Sequence, residues 1–349
     1  MQYQGFYFSC VLVGIGCAET GIIEEKIPET ETCAAEIINT TPYPESVDMY
    51  YRAKIEVELS QPDPAASITL TDETGANVSG SITFSDKIIG FQPDLPLQPS
   101  HSYLAKLQYC GSTDPVEIPF TTSLLGTPLD GGNELLVGRK YSVDLASGNV
   151  LAPLGVGDML QGILQNTFLI SVRDHYDDKL DVRFALSKPN SLEQDFCVPT
   201  LEQFPLIDLS DSPHFILDYR NIPIIVSTFA VTIYDFKASG TVAPDASYFG
   251  WIEASGVLDG RELYPVLQNF GLNVNNEEEF CALLENFGHL CQECPLDDRS
   301  YCMPIKLDQV EAVEESIEIY PVCESKCHTL CDDNTQTCTD PQQQTATCD

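Results

Sequence analysis

Short runs in which apolar and polar residues alternate, each ended by a cluster of turn-forming residues, recur along most of this chain. RAKIEVELS places Ala53, Ile55, Val57 and Leu59 on one side of an extended backbone. SITLTD and SITFSD follow, divided by the turn-rich ETGANVSG, and then come KIIGFQP, SYLAKLQYC and VEIPFTTS. A period of two sends alternate side chains to opposite faces, so each run needs a second sheet to cover its apolar face. Over residues 32–123 no helical period interrupts the pattern, which predicts a β-sandwich there.

The same stretch resembles a known family. IINTTPYPESVDMYYRAKIEVELSQP, SITFSDKIIGFQPDLPLQPSHSYLAKLQYC and VEIPFTTS together are similar to the bacterial Ig-like domain of surface-layer and other exported proteins. The shared features are an opening strand into a proline-bearing turn, an F-x-P-x-x-P-L-x-P approach to a Tyr, and a last strand ending in F-T-T. The resemblance implies a spacer or adhesive module that brings no catalytic residues with it. Tyr103 stands where a corner tyrosine sends its hydroxyl back to the backbone. Cys33 and Cys110 are the only cysteines of the stretch and are expected to bridge. Closing so long a loop stabilises by about 4 kcal/mol in the chain-entropy picture.

Residues 125–321 are also strand-rich. Candidate strands are ELLVGRKYSVDL, TFLISVRD, LDVRFALS, HFILDY, IPIIVSTFAVTIYDFKASGTV, SYFGWIEASGV and SIEIYPV. Such a set predicts a second antiparallel β domain, closed as a barrel or layered as a sandwich, of no recognised family. One helix is expected. Asn275 or Asn276 can cap it, Glu277, Glu278 and Glu279 suit its positive start, and Phe280, Leu283, Leu284 and Phe287 form one stripe before Gly288. Cys281 lies on this helix, placed to tie it to the loop carrying Cys291. Residues 322–349 form a Cys-rich tail with few large apolar groups, which orders only through disulfides. The expected fold class is therefore mainly β: an Ig-like sandwich, a second antiparallel β domain with one short helix, and a Cys-rich tail.

The start of the chain bears on the compartment. GFYFSCVLVGIG, residues 5–16, is too short to cross a bilayer as a helix, which takes about 20 residues, but suits the apolar core of a signal peptide. Gly14 and Gly16 are small at the positions three and one before Cys17, and this run resembles the lipobox of bacterial lipoproteins. The resemblance implies a signal peptide over 1–16, lipidation of Cys17 and a lipid anchor in a membrane. Residues 17–31, acidic and rich in threonine, then read as a tether. Because Ala18 rather than Asp follows Cys17, the sorting pattern implied is that of the outer membrane of the cell envelope.

Fourteen cysteines point to export independently, since thiols stay reduced in a cytosol. Setting aside Cys10 with the signal and Cys17 with the lipid leaves twelve, an even number. Cys281, Cys291, Cys294 and Cys302 are disulfide candidates. Cys291 and Cys294 also form a C-x2-C, but no second pair follows to complete a zinc site.

With 53 acidic residues against 17 basic ones, the formal charge of −36 excludes nucleic acid as a partner and disfavours bare anionic lipid. In DHYDDKLD, the carboxylates of Asp174, Asp177 and Asp178 are dense enough to hold calcium, and they equally suit an acidic hairpin turn. No other cofactor is implied. The chain carries no G-x-S-x-G, no H-E-x-x-H and no Gly-rich phosphate loop, so no catalytic residue is assigned. Asp208, Asp211 and His214 in LIDLSDSPH fit an acid and base, or a polar turn ahead of a strand. Trp251 in YFGWIEA suits either sugar stacking or a core. The leading expectation is an exported envelope lipoprotein, a binding or structural surface module with a protein or carbohydrate partner. The alternatives are a carrier of a small apolar ligand in a β-barrel cavity, and a secreted hydrolase.

Overall fold

A computed structural model describes residues 34–112, 114–153, 166–201, 204–226, 229–269 and 271–322, with two short segments at 331–332 and 337–338. Residues 1–33, including the expected signal, Cys17, the tether and Cys33, lie outside the described residues, as does most of the tail.

Residues 37–122 form two facing sheets. One joins β1 (Ile37–Thr41), β3 (Ile55–Leu59), β7 (Ile88–Pro93) and β6 (Gly80–Ser85) in that order. The other joins β2 (Ser46–Met49), β9 (Val116–Thr122), β8 (Ser102–Gln108), β4 (Ser67–Asp72) and β5 (Asn77–Val78). The first segment crosses between sheets, so that β2 lies parallel to β9 while the other pairs are antiparallel. This is an Ig-like arrangement. Ile55 and Val57 from one sheet meet Ile68, Leu107 and Ile118 from the other, all within 2% of complete burial. The Tyr103 hydroxyl accepts a hydrogen bond from the Gln98 amide at 2.9 Å, the corner contact that ties the loop before β8 to the strand.

The second domain is a closed barrel. Its staves are β10 (Lys140–Val143), β12 (Phe168–Tyr176), β13 (Lys179–Leu186), β14 (Ile207–Asp211), β15 (His214–Val226), β16 (Phe229–Val242), β17 (Tyr248–Asp259) and β19 (Ser300–Glu314). Each pairs antiparallel with the next, and β19 returns to β10 through Tyr141↔Glu314 and Val143↔Ala312. Among the described residues, closure leaves a meander with no free outermost strand. Two short strands, β11 (Asn149–Ala152) and β18 (Gln292–Glu293), add to β19. β20 (Cys331–Asp332) and β21 (Thr337–Cys338) pair only with each other.

Several expectations need correction. ELLVGRKYSVDL is not one strand: Asn133–Leu136 is a 3-10 turn that buries Leu136, and Gly138, at φ 83°, breaks the backbone before β10. The run from IPIIV to SGTV is two strands of a hairpin, and HFILDY belongs to the first of them. SIEIYPV is not a strand, although it buries Ile319 and Val322. The longest strand, β19, was not expected. Two helices, not one, fill the β17–β19 connection: α1 (Tyr264–Asn269) and α2 (Glu277–Asn286). Asn276 caps α2, its side chain accepting from the Glu279 amide at 2.9 Å.

Two disulfides staple this connection, Cys281–Cys291 and Cys294–Cys302. Cys110 and Cys197 are also disulfide-bonded. Cys33, the partner expected for Cys110, lies outside the described residues.

Candidate functional site

The period of two that builds the barrel also decides what faces its axis. Phe168, Ile170 and Val172 of β12 point inward, as do Leu180, Val182 and Phe184 of β13. Phe215 and Leu217 do so from β15, Ala238 from β16, and Ile252 and Ala254 from β17. On β19 the inward set is Ile305 and Leu307, then Val310 and Ala312, because a break at Gln309, φ 54°, shifts the phase by one residue.

These side chains do not fill the interior. They surround a cavity of about 250 Å³ in which every lining residue, among the described residues, is aliphatic or aromatic. Small side chains leave the room, with Ala238 and Ala254 facing each other in register on adjacent strands. The floor is aromatic: Phe249 packs edge-on against Phe215 at 5.6 Å and against Tyr141 at 4.7 Å, and the buried Tyr141 hydroxyl donates to the Ala246 carbonyl. At the other end Leu263 and Val266, around the start of α1, complete the lining.

The sandwich packs on the floor end. Tyr50 stacks face to face on Trp251 at 5.0 Å, and its hydroxyl lies 2.8 Å from the hydroxyl of the fully buried Thr241. Burial pushes the Tyr50 phenol up to about 12. Ala243 from the barrel shares one buried cluster with the sandwich core. Arg52 pairs with Asp211 across the same junction. Trp251 reaches the junction because its backbone takes φ 52° at an irregularity in the β17 ladder, which turns the ring away from the axis that Phe249 and Ile252 face. It is thus a packing residue, half-buried beneath Tyr50, rather than a free stacking platform.

The other sequence candidates are dispersed. Asp177 and Asp178 turn the β12–β13 hairpin, with Asp177 at φ 53°. Asp174 accepts from the His175 amide at 2.8 Å, and Asp181 pairs with Arg173 at 2.5 Å. Among the described residues no group of three or more His, Cys, Asp or Glu converges on a metal site. Asp208 accepts from the Ser210 amide, Asp211 holds Arg52, and His214 is driven down to about 4, first by burial and then by the Arg52 charge. These three do not assemble around a nucleophile. On the outer wall, Asp218, Lys237, Ser255 and Lys306 form one register row across four strands beside a shallow depression of balanced charge. The cavity itself was signalled in the sequence only by the alternation of the strands that build it.

No family model matches this chain, and no curated protein matches it. Among solved structures it is similar to L,D-transpeptidase 1 of Mycobacterium tuberculosis, at 13% identity and a TM-score of 0.22 over 60% of this chain and 80% of that one. It is also similar to an L,D-transpeptidase from Mycobacterium smegmatis, at 11% identity and a TM-score of 0.22 over 60% of this chain and 77% of that one. A cycloalternan-forming enzyme from Listeria monocytogenes aligns at 11% identity and a TM-score of 0.16 over 63% of this chain and 21% of that one. At TM-scores this low the likenesses carry no argument about activity.

Proposed function

We propose that this chain is an exported, lipid-anchored binding protein whose barrel holds one small apolar molecule, and whose Ig-like sandwich fixes that barrel to the envelope side. The observation that carries the reading is the cavity. An eight-stranded barrel is either filled by its own side chains or holds one small ligand, and this one is not filled. A void of about 250 Å³ left empty costs about 6 kcal/mol at the rate measured for core cavities, as much as the whole stability of many domains. Water does not relieve it, because among the described residues no polar group lines the wall to hold water. An apolar occupant does.

Export is supported by the resemblance of residues 14–17 to a lipobox and by the disulfides in the β17–β19 connection, which suit an oxidising compartment. Mass spectrometry of the native protein is expected to find residues 1–16 removed and acyl mass on Cys17. The binding reading is tested with the full chain after delipidation. One equivalent of an apolar dye such as Nile red is expected to bind, and Ala254→Phe, which fills the cavity, is expected to abolish binding while leaving the melting temperature equal or higher. Dye binding that survives Ala254→Phe unchanged overturns the assignment to the barrel.

A further inference from the structure

Every residue of β6 is exposed, although its sheet has a buried face. The register with β7 runs unbroken from Gly80↔Pro93 to Ser85↔Ile88. Residues directly opposite in an antiparallel pair share a face, so Ile82 and Phe84 lie on the side of the buried Phe91 and Ile89. They stay 39% and 52% exposed because the facing sheet ends in β5, two residues long, and leaves that part of the face uncovered.

β6 is also the last strand of its sheet, and among the described residues nothing pairs with its outer edge. The Asp94 amide donates to the Ser79 carbonyl at 3.0 Å, and from β3 the Leu59 amide donates to the Lys87 carbonyl at 2.9 Å. Hydrogen-bonded pairs alternate along an antiparallel ladder, so Ser81, Thr83 and Ser85 bond to β7, while the N–H and C=O groups of Gly80, Ile82 and Phe84 point outward. The other outer strands of the sandwich are guarded: β1 by a break in register before Asn39 and by Pro42, β2 by its shortness and Asp48, β5 by its two-residue length. β6 has no charge, proline or bulge. Residues 74–85 carry no charge at all, in a chain of which 20% is charged and whose net charge is −36.

We propose that β6 is a dimerisation edge, at which β6 of a second copy of this chain pairs antiparallel about a two-fold axis at Thr83. In such a pair the numbers of facing residues have a constant sum. The outward groups belong to even-numbered residues and must meet one another, so the sum is even, and an even sum also keeps apolar face beside apolar face. Centring on Thr83 sets Ile82 against the partner's Phe84 twice over, Ser81 against the partner's Ser85, and Thr83 against the partner's Thr83 in a non-hydrogen-bonded pair, where side chains come closest. Asp86 then faces the partner's Gly80, so no carboxylate meets another. The strand thus matches itself, and two bodies this acidic come together at low cost only where neither presents a charge. A partner held by charge finds none on this strand to grip.

Sedimentation velocity on the delipidated full chain tests this. One short strand pair belongs with the small, transient interfaces, under about 1,200 Å², so dimer is expected to appear over about 10–100 μM protein. Raising NaCl from about 0.05 to about 0.5 M is expected to tighten the dimer at least about threefold, because screening removes the repulsion of the two bodies and breaks no ion pair at the contact. Thr83→Lys, at an exposed position, sets two ammonium groups face to face and is expected to abolish the dimer, as is Thr83→Glu. An equimolar mixture of the two variants is expected to restore it as a mixed dimer, which shows that both still fold. A chain that stays monomeric throughout this range overturns the proposal, and so does a dimer that Thr83→Lys leaves intact or that salt weakens.

Discussion

His214 shows how a single residue at the domain junction ties stability to pH. Burial lowers its pKa from 6.5 to about 4, Arg52 acts in the same direction, and Asp211 only partly opposes them. Its Nδ1 atom is buried without a hydrogen-bond partner. Between about pH 6.5 and 4 the unfolded chain therefore protonates this imidazole while the folded one does not. The unfolded state binds the extra proton, so this contribution to stability falls as pH is lowered through that window. His214→Gln is expected to lose less melting temperature than the unmodified protein on going from pH 7.5 to pH 5.0. Equal losses assign the slope to the carboxylates. The residue scale also marks where sequence reading stops. Tyr103 was legible because its place at the start of β8, after the proline-rich approach, follows from local pattern, and its hydroxyl does find the Gln98 amide. Trp251 was not, because a positive φ at an irregular point of a ladder decides which way the ring points, and alternation predicts the opposite.

At the scale of elements, the β17–β19 connection is held to the barrel by chemistry more than by area. α2 buries Phe280 and Leu284, but it leaves Phe287 41% exposed and relies on its Asn276 cap and on Cys281–Cys291. A bridge closing so short a loop contributes about 2.5 kcal/mol by the chain-entropy relation. Replacing Cys281 and Cys291 together by Ala is expected to speed amide hydrogen exchange in α2 at least tenfold while β3 and β8 of the sandwich keep their protection. Uniform loss of protection would show instead that the staple serves the whole fold. Strands with clean alternation, such as β3, β8, β12 and β13, were legible in advance, and so was the helix, through its cap and stripe. β19 was not: the disulfide-bonded Cys302, Pro304 and a phase shift at Gln309 interrupt its period, although it pairs with both β17 and β10 and so closes the barrel. The choice between barrel and sandwich hung on that strand, and the cavity follows from the closure.

For the whole molecule, the question is whether sandwich and barrel act as one body. A spacer on a flexible joint needs few contacts, yet here a stacked Tyr50–Trp251 pair, a buried hydroxyl pair, the Arg52–Asp211 ion pair and a shared apolar cluster cross the junction. Cutting a buried aromatic to Ala costs about 3–5 kcal/mol, and here it also strips the Thr241 hydroxyl of its near partner, leaving Tyr51 at 3.4 Å. That is enough to uncouple two domains that each keep a core of their own. Trp251 is the only tryptophan in the chain, so its emission reports the junction alone. In the unmodified protein the Trp251 emission change and the loss of far-ultraviolet circular dichroism are expected to coincide in one denaturant transition. In Tyr50→Ala the emission is expected to shift at lower denaturant, ahead of the loss of strand signal. A variant whose two signals still coincide would mean that the barrel floor, through Phe249 and Tyr141, carries the coupling without the stack.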